Sequence, residues 1–482
     1  MIRYFPKLLM LTAAASLAGC GGSSGSSSPS PTPSPTSTPT PTPTPVVGTL
    51  PEVCTESSGD VCTIAEDILS DLTLEAGTDY FMDGFIRVGA GNVNLADAAA
   101  VAAVKAAGVT LTIEPGVDIK MLDGSSLLVT RGSKIMAEGT ALEPITFSSI
   151  DDNFDGEGEW GGIILQGFAP QYGTGGTGAC FGSGTVCNVE GEGGSDVALF
   201  GGNDIEDNSG VLRYVRIAEG GLVAGTNNEI NGLTLQGVGS DTVIEYVQVH
   251  NNLDDGVEWF GGAANAKYLV LTGNDDDDID FDEGYQGNIQ YALIKKNDTR
   301  GPLGSNDPRG VEANSSDEDY VPETNAVLAN ITVIGGQVSN TTDKEQPGMR
   351  LRGALTVEVH NSIVTDFDNG CVRADNASIS ASEEVQSNIT LQNVIGDCDR
   401  FYRPSDEADV TEVGEVGNAA SAIVFDANFA APSAIATVGA TTINAVDNGS
   451  NFSFDQTTYA GAVDPAATSA WWAGWTIENS LN

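Results

Sequence analysis

Positive charge is scarce in this chain. It has 20 Lys and Arg against 67 Asp and Glu, for a net charge of −47. So acidic a chain is excluded from binding nucleic acid or an anionic membrane surface by charge; cations, neutral or cationic ligands and salty surroundings suit it better. Histidine is rarer still, with only His250 and His360. No cysteine spacing supplies the missing zinc ligands, so a zinc site is excluded as well. Apolar residues make up only 40% of the 482, while 59 are glycine. That mixture is poor for helix bundles and suits a β-rich fold with many tight turns.

The N-terminus reads as a processing signal. Arg3 and Lys7 precede an apolar run, Leu8 to Ala18, that is too short to span a bilayer. Leu17-Ala18-Gly19-Cys20 resembles the bacterial lipobox. The resemblance implies that 1–19 is a signal peptide and that Cys20 carries a lipid anchor to the membrane. Gly21 in place of Asp implies the outer membrane rather than inner-membrane retention. Residues 20–48 are a Ser/Pro/Thr-rich linker, and its PTPTPTP stretch favours extended polyproline II. Beyond Cys20 there are six cysteines, which allow fifteen connectivities. Pairing sequence neighbours gives Cys54–Cys62, Cys180–Cys187 and Cys371–Cys398, which fits an oxidising compartment.

Residues 49–108 form an N-terminal cap region. Its one helical stretch, ADAAAVAAVKAA (Ala96 to Ala107), stops at Gly108. From 109 to 404 the pattern changes to short β runs such as VTLTIEPGVDIKM and WGGIILQG. Tyr246 onward aligns with Tyr268 onward at an offset of 22: Asn252 over Asn274, Asp254 over Asp276, Asp255 over Asp277, Glu258 over Asp280. A third turn begins at Tyr291. Such repeats cannot bury their apolar side singly and must stack. The expected fold is all-β: a single-stranded parallel β-helix of roughly a dozen coils with a short N-terminal capping helix. Its right-handedness comes from fold analogy. Residues 405–482, ending in Trp471-Trp472-Ala473-Gly474-Trp475, are expected to cover the other end.

Strand alternation puts Val257 and Trp259 inside and Glu258 outside. Applied to each repeat, it predicts a surface row Glu258, Asp280, Glu312, Arg350, Arg373. Beside it runs a second row, Phe260, Asp282, Asn314, Arg352. The turns stack Asp254/Asp255 on Asp276/Asp277. The stretch GNDDDDIDFDEG alone packs seven carboxylates into twelve residues. Carboxylates this close take up protons, pair with arginine or hold a cation. Calcium prefers six to eight oxygens, which makes Asp254, Asp255, Glu258, Asp276, Asp277, Asp280 and Glu312 its candidate ligands. The alternative is a solvated acidic turn screened by salt. An EF-hand loop is excluded, because Gly and Glu are missing at its required positions.

The blocks GEWGGIILQG, DNSGVLRYVRIAEGG, NNEINGLTLQGVGSDTVIEYVQVHNNLDDGVEWFGG and NDDDDIDFDEGYQGNIQ resemble a large family of bacterial secreted and lipoprotein β-helices. The resemblance spans about residues 70 to 400, and the tail YAGAV…WWAGWT resembles the family's usual ending. The wider resemblance is to pectin-lyase-like β-helices. It implies no catalytic residues directly, but it implies two enzyme readings. A polysaccharide lyase needs a cation against a uronate carboxylate and a base, with Arg350 or Arg373 as the candidates. A hydrolase needs paired aspartates, but the Gly-His-Gly of that group is missing. The binding reading is a surface module that holds a glycan through calcium, with Phe260, Asp282, Asn314, Arg350 and Arg352 as contacts, or that passes a nutrient to an outer-membrane importer. Trp160, Trp259 and Phe281 read as core, and Arg350 and Arg352 could equally pair with Glu312 and Asn314 as structure.

Overall fold

In this computed structural model the described residues are 53–58, 60–151, 153–172, 186–225, 228–297, 308–316, 320–336, 346–375, 387–403 and 410–481. Residues Leu50–Asn482 form one compact unit. The expected signal peptide, Cys20 and the linker 20–48 lie outside the described residues, as does Cys180.

The chain builds the expected parallel β-helix. Nine strands, from Phe85–Val88 through Ile163–Gln166, Val257–Phe260 and Ile279–Asp282 to Val372–Asp375, form one parallel sheet. A second, sixteen-stranded sheet carries the longer strands, such as Val243–His250, Gln286–Lys295 and Asn388–Asp397. Alternation within each strand sets which side chains enter. In Asp118–Met121, Ile119 and Met121 are buried while Asp118 and Lys120 are not. Trp160, Trp259 and Phe281 all lie in the continuous interior with Val257, Ile279 and Met349.

Each long strand turns a corner at one residue in the left-handed region. Tyr214, Tyr246, Tyr268, Tyr291, Asn330, Asn361 and Asn393 recur at this position, with φ between 47° and 63°. A non-glycine residue with positive φ is uncommon, and repetition at one site marks a designed bend. The first four carry tyrosine rings stacked at 4.5, 4.4 and 4.9 Å. Asparagine then takes over and links coils, with Asn393 Nδ2 donating to Asn361 Oδ1 at 3.0 Å.

The stack runs past both expected limits. Val61–Ile64 already pairs in parallel with Asp79–Met82, well before residue 109, and Val410–Asn418 adds a strand beyond 404. The early strands VCTI, DYFM and FIRV are only four residues long, too short to stand out. Among the described residues the parallel path of the long sheet, from Val61–Ile64 to Val410–Asn418, passes through twelve strands and the shorter sheet has nine, so the dozen coils are reached only over this wider span; residues 167–209 are inserted between Ile163–Gln166 and Gly210–Ala218. Helix Ala98–Ala106 leaves the stack between Phe85–Val88 and Thr110–Ile113. Asp97 caps it by accepting from Ala100 N at 2.9 Å. The sheet's first edge is closed by the antiparallel strand Cys54–Ser58, stapled by Cys54–Cys62. Cys371–Cys398 is also formed, and Cys187 is disulfide-bonded.

The tail does not plug the end of the stack. It runs back along the outside of the long sheet, with Asn361 Nδ2 donating to Thr457 Oγ1, Asn330 Nδ2 to Tyr459 O, Gln290 Nε2 to Asp455 O and Arg216 to Trp475 O. The physical reason is that this face carries outward apolar side chains, Val270, Leu293, Ile363 and Ile395, which the tail buries. Trp471 and Trp475 sit edge-on against the tyrosine stack. Trp475 is only 1% exposed. Trp475→Ala is therefore expected to cost about 3–5 kcal/mol, read as a drop in denaturation midpoint with the β-sheet circular dichroism retained below it.

Candidate functional site

Five consecutive strands of the shorter sheet carry the site. Their register stacks Glu258 on Asp280, Asp280 on Glu312, Glu312 on Arg350 and Arg350 on Arg373. The adjacent row stacks Phe260 on Asp282 and, further along, Asn314 on Arg352 and Arg352 on Asp375. In the turns, Asp277 N donates to Asp255 Oδ1 at 2.9 Å and Asn252 N to Asn274 Oδ1 at 3.0 Å.

The row is not open surface. Glu258 is 8% exposed and Asp277 only 2%. The insertion after Gln166 covers this end, with Gln236 Nε2 donating to Glu192 O at 3.0 Å. Phe260, expected as an exposed platform for sugar, is 7% exposed and packs with Cys187, Val189 and Phe200 from the same insertion. Towards the other end the row opens, and the side chains of Arg350 and Arg373 are 21% and 17% exposed.

Three groups of carboxylates bring oxygens within 4.8 Å of one another: Asp254, Asp255 and Asp276; Asp255, Glu258 and Asp280; Asp277, Asp280 and Glu312. Asp280 belongs to two of them. Asp277 Oδ1, Asp280 Oδ1, Asp282 Oδ1 and Glu283 Oε2 are buried atoms with no hydrogen-bond donor. Uncompensated buried carboxylate oxygens are costly, and oxygens this crowded fit a hard cation.

Basic groups hold one side. Arg309 is buried, and its Nη1 meets Asp277 Oδ2 at 3.1 Å and Glu312 Oε2 at 2.6 Å. Arg352 Nε meets Glu312 Oε1 at 2.6 Å. Arg350 lies 3.4 Å from both Glu312 and Asp375, and Arg373 lies 2.7 Å from Asp375. Arg350 and Arg352 thus do pair with Glu312, whereas Asn314 is Arg352's register neighbour. Lys296 Nζ meets Asp278 Oδ2 at 2.9 Å. His250 stands apart, its Nδ1 2.8 Å from Thr272 Oγ1.

The two halves titrate differently. Burial first, and then neighbouring carboxylates, push Asp254, Asp255, Glu258, Asp280 and Glu283 well above the usual carboxylate range. Burial also lifts Asp277, against the opposing pull of Arg309. Burial raises Asp282 and Glu192 to about 7, and Asp278, despite Lys296, to about 6. Burial would raise Glu312 too, but Arg309, Arg352 and Arg350 together hold it below its ordinary value.

Sequence reasoning missed Arg309, Lys296, Asp278, Asp375 and Glu192. Arg309 was findable: it stands three residues before Glu312, as Asp255 does before Glu258 and Asp277 before Asp280. Glu192 was not, because it comes from an insertion outside the repeat. A further acidic group, Asp151, Glu159 and Glu219, lies on a different turn, where Ser149 Oγ donates to Glu219 Oε2 at 2.8 Å.

The parallel β-helix that carries these rows agrees with the one comparison that finds a match, to the family described as a pectate-lyase like beta helix domain, over residues 67–476. The chain belongs to this family. No curated protein and no solved structure matches this pectate-lyase-like β-helix.

The titration shifts fix the sign of a pH effect. A carboxyl raised in the folded state contributes stability while protonated, and loses it as pH rises from its unfolded value, about 4, through its folded value. Here the window extends to about 7 for Asp282, and burial pushes Asp255 and Asp280 in the same direction, well above the usual carboxylate range. In chelator, the melting temperature is expected to fall as pH rises from 5 to 8. A melting temperature that rises across that interval would contradict the burial of this cluster.

Proposed function

We propose that this pectate-lyase-like β-helix is a calcium-binding surface module that holds an extracellular glycan, tethered to the outer membrane through a lipid on Cys20. Family membership fits a carbohydrate-related function in general. The observation that carries the finer reading is the convergence of carboxylate oxygens on Asp280, where Asp277 and Asp280 each keep a buried oxygen without a donor. Asp255, Glu258, Asp277, Asp280 and Glu312 would hold the ion. Bound there, calcium would neutralise the cluster and present a positive centre to ligand oxygens. Disulfides at both ends of the stack support an extracellular or periplasmic setting. The spaced tether suits a module that reaches past surface polysaccharide or hands a ligand to an importer.

The alternative is a calcium-dependent lyase of an acidic polysaccharide. It is favoured by Arg350, whose guanidinium is shifted towards a lower pKa by burial and by Arg352, Arg309 and Arg373, against the opposing pull of Glu312. In that reaction the base takes the proton next to the uronate carboxylate. The electron pair left behind forms a C=C bond, and the glycosidic C–O bond breaks with its oxygen leaving. Arginine is a reluctant base, which places this second.

Calorimetric titration of the protein with calcium, paired with melting in calcium and in chelator, tests the reading. A saturable site that raises the melting temperature, weakened roughly tenfold or more in Asp280→Asn, is the expected result. A melting curve that follows bulk salt alone would leave a screened acidic turn and remove both calcium readings. Arg350→Ala separates binding from lysis: it abolishes unsaturated products if the protein is a lyase, and only lowers affinity if it is a binding module.

A further inference from the structure

The tail does not seal every coil it crosses. Over the strands Ala266–Thr272 and Gln286–Lys295 it is closely pinned. Asn448 Nδ2 donates to Ala263 O and to Asn265 Oδ1, each at 3.0 Å, Asn265 Nδ2 donates to Ser450 Oγ at 3.1 Å, and Asp455 N donates to Gln290 Oε1 at 2.9 Å. One coil earlier the tail meets Val243–His250 at Gln248, where Ile477 N donates to Gln248 Oε1 at 2.7 Å. At the start of that strand lies a cavity of about 230 Å³, walled by residues 240–245 and 265–267 of the stack and by 450–452 of the tail.

The lining is amphipathic. Val243 and the partly buried ring of Phe452 give it an apolar wall. Polar groups of both kinds share it. Ser240 is 7% exposed, and its buried Oγ has no hydrogen-bond partner. A buried hydroxyl left unpaired costs free energy, and a hydroxyl of a bound molecule would supply its partner. Asp241 is exposed, and among the described residues nothing pairs with its carboxylate. Glu245 and Lys267 sit in register on successive coils. Each is held in place by another group: Glu245 by Arg213 at 3.1 Å, Lys267 by Asp455 at 3.4 Å and by the Phe452 ring, 5.1 Å from its centroid. Carboxylates at Asp241 and Glu245 disfavour an anion here, and the Lys267 ammonium disfavours a cation. A neutral molecule fits, provided it offers hydroxyls to donors and acceptors alike and C–H surface to an aromatic wall. That is the chemistry of a sugar. The volume lies below the roughly 300–1,000 Å³ of pockets for drug-sized ligands, which suits one ring rather than an oligosaccharide.

We propose that the cavity between the tail and the strand Val243–His250 is a second binding site, which takes one neutral sugar unit. Asp241 accepts from its hydroxyls, Ser240 Oγ and Lys267 Nζ bond to its oxygens, and Phe452 with Val243 covers its C–H face. The site lies on the outer side of the long sheet, away from the carboxylate rows of the short one. It rests neither on calcium nor on the choice between binding and lysis.

The test uses the full-length protein in chelator, so that the carboxylate rows and the cavity are judged separately. Saturation-transfer NMR follows titration with the methyl glycosides of galactose, glucose, mannose and N-acetylglucosamine, and with glucuronate and glucosamine as charged counterparts. At least one neutral glycoside is expected to bind saturably, with a dissociation constant on the order of millimolar for a ligand this small, and more tightly than either charged probe. Ser240→Ala and Asp241→Asn are each expected to weaken it roughly three- to tenfold. Asp83→Asn, on an exposed turn several coils away, should not. Ser240→Ala removes a hydroxyl that has no partner in the fold, so its melting temperature should equal or exceed the parent's, which separates loss of the site from loss of structure. Absence of saturable binding by every neutral glycoside, or binding indifferent to both Ser240→Ala and Asp241→Asn, overturns the site. Tighter binding of glucuronate or glucosamine than of any neutral glycoside overturns the assignment to a neutral sugar.

Discussion

Coil-on-coil register is the constraint on which the rest of this molecule depends. In a parallel stack each residue sits directly over its equivalent in the next coil, about 4.8 Å away. Whatever one coil places at a position, the neighbour must tolerate. Inside, that rule produces columns such as Val257, Ile279, Val311 and Met349, all fully buried. At the bend it produces a tyrosine stack and then an asparagine run, two ways of satisfying the same left-handed residue. Outside, it forces ionisable groups into rows whether or not their charges agree.

The rows resolve this conflict differently along their length. Where Asp255 stacks on Asp277, the next member of the column is Arg309, which pairs with both Asp277 and Glu312. Arg309, together with Arg352 and Arg350, holds the Glu312 carboxyl below its ordinary range, while burial and neighbouring carboxylates push Asp280, one coil earlier, well above it. The Gly167–Ser209 insertion deepens the contrast. It covers Glu258 and Phe260 with Glu192, Val189 and Phe200, and so removes solvent from the very acids that most need it. Burial of like charges is unfavourable unless protons or a cation compensate, so the covering insertion and the cation reading support each other.

Much of this was legible in the sequence, for a reason particular to solenoids. An offset of 22 aligned Asn252 with Asn274 and Glu258 with Asp280, and strand alternation then placed Glu312, Arg350 and Arg373 in the same column. Local repetition encodes three-dimensional adjacency directly, so pattern reasoning reaches tertiary contacts that it misses elsewhere. What escaped it was non-repetitive. The four-residue strands before 109 carry too little pattern. Glu192 arrives from an insertion, so Phe260 looked exposed. The path of the tail depends on outward apolar residues such as Leu293 and Ile363 on a face that sequence alone marks only as strand.

Among the described residues, the tail and the insertion each cover part of the outer surface of the stack. The long sheet has its outer face occupied by residues 419–481, which fill it with Trp471, Trp475 and backbone partners for the asparagine run. The acidic end of the short sheet is roofed by the insertion. Among the described residues the arginine end is the more exposed part of the row, with the Arg350 and Arg373 side chains at 21% and 17%. A solenoid has two long outward faces, and here the tail covers the apolar one, so the charge gradient falls on the other. The direction of that gradient, from crowded buried carboxylates to stacked half-exposed guanidiniums, is set by a few positions in the repeat. The charge pattern of this chain is therefore written coil by coil, by the residue each repeat places in a column.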